Sequence, residues 1–361
     1  MEKIKNKLGI FILNYNGIKW LEKNLNNIVQ HSQNHHIIII DNNSNDNSVE
    51  YIRTYFPQIS IKFNYSNYGF AKGYNNVLLK EFNFEYFILL NNDVELTKNW
   101  LNPMLELIKK DRISIVQPKI LNYSNKDKFD YAGAAGGFID ITGIPFCRGR
   151  ILNNIEQDQG QYDTNMKIFW ASGSCFMIKS KVFHQLKGFD EDLFMHQEEI
   201  DLCWRAQEIN SKIYYCAEST IYHYGGGTLE STNPRKHFYN HRNSLLLLIK
   251  NLPIHLLFIA LPLRLVIDYL VVLYYFLPGL IYTIFSAPIY LQKTYTINHK
   301  NGIEKIKTSM LILIAHISFL ILLPKFIKKR SPVNAKHIYP NSIIFDFYLM
   351  QKKNFSDLKK F

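Results

Sequence analysis

The chain has 361 residues, enough for a full α/β domain and an appendage. With 47% hydrophobic and 20% charged residues it is composed as a globular protein with some membrane character, which excludes a disordered or fibrous chain. The formal net charge is +12, and nine Lys or Arg against two Asp between Lys325 and Phe361 supply +7 of it, so this tail either meets anionic lipid or nucleic acid or is simply solvated.

Residues 1–7 are polar, and the apolar run Leu8–Leu13 is too short for a secretory leader, so none is expected. The run Gly9–Leu13 predicts a buried strand, His36–Asp41 a second, Ile59–Tyr65 a weaker third and Tyr86–Leu90 a fourth; another starts at Ser114–Val116. Helical patterns fill the gaps at Trp20–Val29, Ser48–Phe56, Gly73–Phe82 and Leu101–Lys109. Continuous apolar strands alternating with helices predict a mostly parallel sheet covered on both faces, with ligands bound beyond the carboxyl ends of its strands. Those ends are polar: Asn14-Tyr15-Asn16-Gly17, Asp41-Asn42-Asn43-Ser44-Asn45-Asp46 and Asn91-Asn92-Asp93. Turn chemistry explains one or two such ends. Three on one sheet edge point to a ligand crevice.

Residues 122–168 are irregular and rich in Gly, Asn and Asp. Apolarity returns at Ile168–Ile178, a helix is predicted over 198–208 and a strand over Ile213–Ala217, followed by the His-bearing loop Tyr222–Thr228. The four cysteines, Cys147, Cys175, Cys203 and Cys216, form no Cys-x-x-Cys pair, which argues against zinc and for reduced, buried thiols.

Near residue 245 the character changes. Tyr269–Gln292 carries no formal charge and is long enough to cross a bilayer, whereas Met310–Leu323 is about three-quarters of a standard span. Basic residues flank both runs, which is awkward for a clean hairpin and favours helices lying in, or dipping into, the cytoplasmic interface. True spanning and a soluble helical subdomain are the other readings.

Glu198, Glu199 and Asp201 stand within four positions of an apolar, aromatic stretch. Mutual repulsion and partial burial can raise a carboxyl pKa to that of a working general base. Acids favoured at a helix start are the plainer reading. Asp93 can hold a divalent cation, with His223 as a second ligand; equally, Asp93 can cap a helix and His223 can be an ordinary loop histidine. The turn Asn67–Asn76 is Gly-rich, leads into a helix and carries Lys72, which suits phosphate.

Six motifs in order, Asn14-Tyr-Asn16, Ile40-Asp41 to Asp46, Asn67 to Asn75, Leu89-Leu-Asn91-Asn92-Asp93, Ala171-Ser-Gly173 and Gly188-Phe-Asp190 through Glu198-Glu199-Ile-Asp201-Leu, resemble the family 2 glycosyltransferases, closest to the rhamnosyltransferase-like branch. The resemblance covers residues 8 to about 230. It implies a GT-A fold in a 1–244 catalytic domain, with a nucleotide-sugar half (1–120) and an acceptor half (121–244), then an apolar helical membrane-associating region (245–330) and a basic tail (331–361). It further implies inverting, Mn²⁺- or Mg²⁺-dependent transfer of one sugar from a nucleotide-diphosphate sugar to a glycan or lipid-linked acceptor. Membrane contact at the cytoplasmic face is expected, and no nucleic acid.

By the same resemblance, Asp41 contacts the base or ribose, with Asn14, Asn16, Asn43, Lys72, Asn75, Asn91 and Asn92 along the donor crevice. Asp93 matches the last acid of an Asp-x-Asp metal motif whose first acid is Asn91 here, and His223 matches a histidine that binds the metal in some members. Glu199 occupies the place of the catalytic Asp; Glu198 is its neighbour, and Asp201 and Arg205 orient the base or meet the acceptor. A processive synthase is disfavoured because no Gln-x-x-Arg-Trp motif follows. A polyprenyl-phosphate sugar synthase and a non-catalytic membrane-bound relative are the remaining alternatives.

Overall fold

A computed structural model describes residues 7–32, 35–225, 234–284, 292–331 and 337–358, and side chains outside 282–300. The chain divides into two compact units: Met1–Asp140 with Ile144–Ser231 and Lys336–Phe361, and Ile141–Gly143 with Thr232–Ala335.

The first unit is built on a mixed sheet. Its first half runs β1 (Leu8–Asn14), α1 (Ile18–His31), β2 (His36–Asp41), α2 (Ser48–Tyr55), β3 (Ser60–Phe63), α3 (Gly69–Leu78), β4 (Tyr86–Leu90), β5 (Val94–Leu96), α4 (Leu101–Ile108) and β6 (Ile113–Asn122). Four short strands follow: β7 (Gly137–Ile139), β8 (Pro145–Cys147), β9 (Arg150–Ile151) and β10 (Asn154–Ile155). Then come β11 (Met166–Lys167), β12 (Cys175–Lys179), α5 (Ser180–Gln185), α6 (Glu198–Glu208) and β13 (Lys212–His223). The large sheet has the order β11-β13-β6-β12-β4-β1-β2-β3, with β5 beside β13. The pairings β3-β2, β2-β1, β1-β4 and β6-β13 are parallel, while β12 runs antiparallel between β4 and β6.

The buried strands are those with unbroken apolar runs. Every residue of β4 is buried, because helices cover both faces of the sheet. Leu21, Leu25 and Ile28 of α1 and Met104 and Ile108 of α4 pack on one face with Ile10, Ile12, Ile88 and Leu90. On the edge, β3 is largely exposed, which is why its sequence signal is weak.

Four differences from the sequence expectations have local causes. The helix expected from Gly73 begins at Gly69, where the Asn67 side chain accepts from the Gly69 N–H (3.0 Å) and the Phe194 carbonyl accepts from Phe70 N–H (3.0 Å). The strand expected over Ile213–Ala217 runs on to His223 through a register irregularity between Cys216 and Thr220, where its pairing continues along β6. Only Cys175–Lys179 of the apolar 168–178 stretch joins the large sheet, because the chain turns at Ser172, whose carbonyl accepts from Cys175 N–H. Within the irregular 122–168 segment, β7 to β10 form a second, antiparallel sheet whose two- and three-residue strands are too short to show a period. All four cysteines are free and buried.

Residues 337–358 fold onto that second sheet. Tyr339 bridges Asp140, the Ile343 N–H donates to Asp140 Oδ2 (2.8 Å), and Asn154 donates to the Lys353 carbonyl (2.9 Å). The Phe355 ring lies 5.1 Å from Phe138 and 6.2 Å from Tyr162.

The second unit holds α7 (Arg235–Asn251), α8 (Ile254–Ile284) and α9 (Gln292–Lys328). Ile254–Ile281 and Asn301–Lys328 are each long and apolar enough to cross a membrane, and a third or less of each apolar window is buried. The expected uncharged run to Gln292 includes residues 285–291, which lie outside the described residues, as do Gly226–Thr228 of the His-bearing loop. Asp268 of α8 joins the helices. It accepts from His241 of α7 (2.8 Å) and His316 of α9 (3.0 Å) and pairs with Arg264 one turn back (2.8 Å). Arg264 already balances this carboxylate, which argues against a cation there.

Phe355→Ala is expected to cost about 3 kcal/mol, the lower end of the range for a core phenylalanine, because the ring is only partly buried. Amide exchange should quicken across residues 337–358 before β4; uniform exchange in both would show that this segment is not held by that ring.

Candidate active site

The register of the sheet assembles the polar strand ends. Asn14 at the end of β1 is the direct neighbour of Asp41 at the end of β2. Asp41 is buried and accepts from the Ser44 N–H (3.0 Å) and weakly from Asn14 Nδ2 (3.4 Å), which holds the following loop in a turn. Asn92 donates to Asn14 Oδ1 (2.9 Å), so the ends of β1 and β4 are latched by side chains. Gly17 is required beside that latch, because a Cβ there would lie 2.2 Å from Asn14 Oδ1. Asn16 and Asn43 both take left-handed backbone, at φ 48° and 66°, and both are exposed. Asn16 also accepts from Asn45 N–H (2.9 Å), and Asn91 N–H donates to the Ser174 carbonyl (2.9 Å).

The start of α3 meets the approach to α6. Gly69 has φ 71°, and a Cβ on it would come within 2.7 Å of the Phe194 carbonyl oxygen. Lys72 is half-exposed, 4.0 Å from Glu191 and 4.8 Å from the Tyr68 ring centroid. Asn75 is buried and spans the loop before α6, donating to the Phe189 carbonyl (2.9 Å) and accepting from Phe189 N–H (2.9 Å).

Asp93 sits in the turn between β4 and β5. Past the irregularity in β13 its last residues pair with β5, His223 opposite Val94, and this pairing brings the His223 ring to Asp93. His223 Nε2 lies 3.3 Å from Asp93 Oδ1 and Nδ1 lies 3.0 Å from Asp130 Oδ1. All three side chains are buried. Burial pulls the His223 pKa down, but the charges of Asp93 and Asp130 outweigh it and hold it well above the ordinary imidazole value. The pair is backbone-locked as well: the Tyr224 N–H donates to the Asp93 carbonyl (3.1 Å) and the Tyr123 N–H to the His223 carbonyl (2.9 Å).

The third group is at the start of α6. Phe194, His196 and Gln197 have φ of 64°, 66° and 70°, three left-handed non-glycine residues in four. Glu198 is buried and Glu199 partly so, and Oε2 of each is enclosed without a hydrogen-bond partner among the described residues. Burial and the charge of Glu199 push Glu198 well above the ordinary carboxyl value. Burial also pushes Glu199 up, to about 7, while backbone amides at the helix start favour its charged form. The two carboxyls therefore titrate as a pair, both pushed up by burial, with the backbone donors on the side of Glu199. Asp201 is fully buried and pairs with Arg205 (2.7 Å), whose other nitrogens donate to the Leu186 and Gly188 carbonyls (2.8 Å each).

Two residues escaped the sequence reading. Asp130 lies in the irregular segment, where nothing in its neighbourhood marks it. Asn42 is buried and donates to Asn67 and to the Gly69 carbonyl. Its place among the polar residues after β2 was the available signal.

Residues 9–187 match the profile of Glycosyl transferase family 2. The chain belongs to the family 2 glycosyltransferases. Over 220 residues it is 27% identical to the low-salt glycan biosynthesis hexosyltransferase Agl10 of Haloferax volcanii, covering 58% of this chain and 64% of that protein. It is 23% identical to rhamnosyltransferase WbbL of Escherichia coli over 39% of this chain and 52% of that one. With the N-acetylglucosaminyl-diphospho-decaprenol L-rhamnosyltransferase of Mycobacterium tuberculosis it shares 21% identity over 58% of this chain and 72% of that protein. The chain thus spans about two thirds or less of the length of the first two relatives. Among solved structures, GalNAc-T7 with UDP, GalNAc and Mn²⁺ superposes with a TM-score of 0.53 at 16% identity, over 88% of this chain and 57% of that one. The mannosyltransferase PcManGT of Pyrobaculum calidifontis, in complex with GDP-Man and Mn²⁺, gives 0.50 at 10% identity, over 87% of both chains. At such identities the likeness is one of fold, and the fold of this family 2 chain is GT-A.

Because burial and the Glu199 charge raise the Glu198 pKa in the fold, its ionisation weakens the fold as pH rises from its ordinary value towards its raised one. Glu198→Gln should gain thermal stability on the parent chain at about pH 8 but not at about pH 4, measured by calorimetry. An equal difference at both pH values would contradict the raised pKa.

Proposed function

We propose that this chain is an inverting glycosyltransferase. It moves one sugar from a nucleotide-diphosphate donor to a glycan or lipid-linked glycan acceptor in cell-surface polysaccharide assembly. The observation that carries the reading is Glu199, whose enclosed, partnerless oxygen and pKa near neutrality are what an acceptor-activating base requires. The printed activities of the relatives support the substrate class. One is a hexosyltransferase of glycan biosynthesis, and another is a rhamnosyltransferase named for a lipid-linked diphosphate acceptor.

In this reading the donor lies across the strand ends. Asp41 contacts the base or ribose, and Asn14, Asn16, Asn43, Asn91 and Asn92 shape the crevice. Lys72 offers its charge to the diphosphate, and Asn75 holds the loop that closes the site. Asp93 and His223 fit a divalent ion, Mn²⁺ or Mg²⁺: a carboxylate oxygen and an imidazole nitrogen converge at 3.3 Å, and the two together leave coordination positions for donor oxygens. Such an ion would offset the charge that develops on the leaving diphosphate.

Glu199 takes the proton from an acceptor hydroxyl. The freed oxygen forms a bond to the anomeric carbon from the face opposite the diphosphate, and the carbon–oxygen bond to the diphosphate breaks, its electron pair leaving with the nucleotide. Configuration inverts. Glu198, protonated beside it, limits negative charge at the site. The apolar helices of the second unit bring the enzyme to the cytoplasmic face of a membrane, where a lipid-linked acceptor would be found.

The decisive experiment screens UDP-, GDP- and dTDP-sugars with Mn²⁺ for thermal stabilisation, then assays the best donor on lipid-linked glycans. Addition of one sugar with inversion supports the reading. A polymer product or transfer to a polyprenyl phosphate replaces it with the corresponding synthase, and no stabilisation by any donor sinks it. Glu199→Gln should lower turnover by about 10²–10⁴ with donor affinity nearly intact. In the parent enzyme turnover should rise with pH through about 7 as Glu199 ionises. Asp93→Ala should abolish the Mn²⁺-dependent part of donor binding, seen by calorimetry with and without chelator.

A further inference from the structure

We propose that Asp130 is a positioning residue that fixes His223 as an Nε2 metal ligand. The inference rests on the metal site read above and adds to it the group that aims the ligand. An imidazole can bind a metal through either nitrogen, and the choice is set by the hydrogen bond at the other. Here Nδ1 lies 3.0 Å from Asp130 Oδ1, so the carboxylate accepts the Nδ1–H hydrogen bond, and Nε2, which faces Asp93, is the nitrogen that a metal would meet on displacing its proton.

Asp130 is built for this place. It is buried, its N–H donates to the Ile120 carbonyl (3.0 Å), and its Oδ1 also accepts from the Ala132 N–H (2.8 Å). Gly225, at φ 66°, turns the chain just past His223, and a Cβ there would make ordinary contact with Asp130 Oδ2 at 3.8 Å. Arg150, a buried residue of β9, lies close enough for the Asp130 charge to act on its guanidinium. Arg150 is held in turn by the Tyr131 carbonyl (3.1 Å) and Cys147 Sγ (3.4 Å). The inserted sheet therefore places a buried cation near Asp130 and holds the neighbouring Tyr131 backbone.

The test uses the full chain in detergent, with free Mn²⁺ followed by electron paramagnetic resonance, alone and with UDP, GDP or dTDP. Asp130→Asn keeps the size and removes the charge. It should weaken Mn²⁺ binding by about 10- to 100-fold, as other outer-shell partners of metal-bound histidine do. Asp130→Glu should recover part of the loss. If His223→Ala weakens Mn²⁺ while Asp130→Asn stays within twofold of the parent, the positioning role is wrong and the metal site stands. If neither variant changes Mn²⁺ binding, the metal site itself is wrong and the inference goes with it. A further readout does not depend on the Asp130 variants folding. In the Zn²⁺-loaded parent chain, imidazole ¹⁵N shifts, assigned by comparison with His223→Ala, should show a protonated Nδ1 and a metal-bound Nε2. The opposite tautomer overturns the proposal.

Discussion

Burying ionisable groups at the carboxyl ends of an apolar sheet is the constraint around which this molecule is organised. A carboxylate taken out of water must be paired, hydrogen-bonded or left protonated. Each of these solutions appears. Asp93 and Asp130 share one imidazole, Asp201 is met by Arg205, and Asp41 accepts backbone and amide donors from its own loop. Glu198 takes the remaining course: burial and the Glu199 charge push its pKa up towards the protonated form. Glu199 lies between these states: backbone amides at the helix start favour its charge while burial opposes it, which leaves its pKa at about 7.

Geometry does as much as charge. Past the irregularity between Cys216 and Thr220, β13 stays on β6 and also pairs with β5, so His223 lies between the two beside Asp93. The inserted sheet supplies Arg150, and the segment leading into that sheet supplies Asp130; residues 337–358 cover the sheet from the far end of the sequence. Elements that look peripheral in chain order thus carry the support of the Asp93–His223 pair. The C-terminal segment, although rich in Lys, is in its described part held by Asp346, Asp140 and a cluster of phenylalanines.

The sequence made the parallel half of the fold legible because its strands are unbroken apolar runs with polar ends, a pattern that also located the crevice. It showed Asp41, Asp93 and the Glu198–Glu199 pair for the same reason: charged residues beside apolar runs stand out. What it hid depended on distance. Asp130 meets His223 across 93 positions, and Asn75 meets Glu191 across 116, so no local spacing marks either contact. The two- and three-residue strands of the inserted sheet carry no periodicity to read. Distinguishing Glu198 from Glu199 also required burial and backbone donors, which composition does not encode.

The approach to α6 shows why the carboxylate pair points where it does. Three left-handed residues, Phe194, His196 and Gln197, each cost on the order of 1–3 kcal/mol and persist only where surrounding contacts over-determine them. Those contacts are present. The Phe194 carbonyl is bonded to the start of α3, Asn75 holds Phe189 from both sides, and Arg205 grips the Leu186 and Gly188 carbonyls. Helix α6 can therefore begin at Glu198, so that backbone amides fall to the Glu199 carboxylate and not to solvent. A glutamate is one methylene longer than the aspartate that the family pattern places here, and a longer side chain has more rotamers to lose. The strained, over-tied loop limits where that extra length begins, and the enclosed setting of Oε2 limits where it ends.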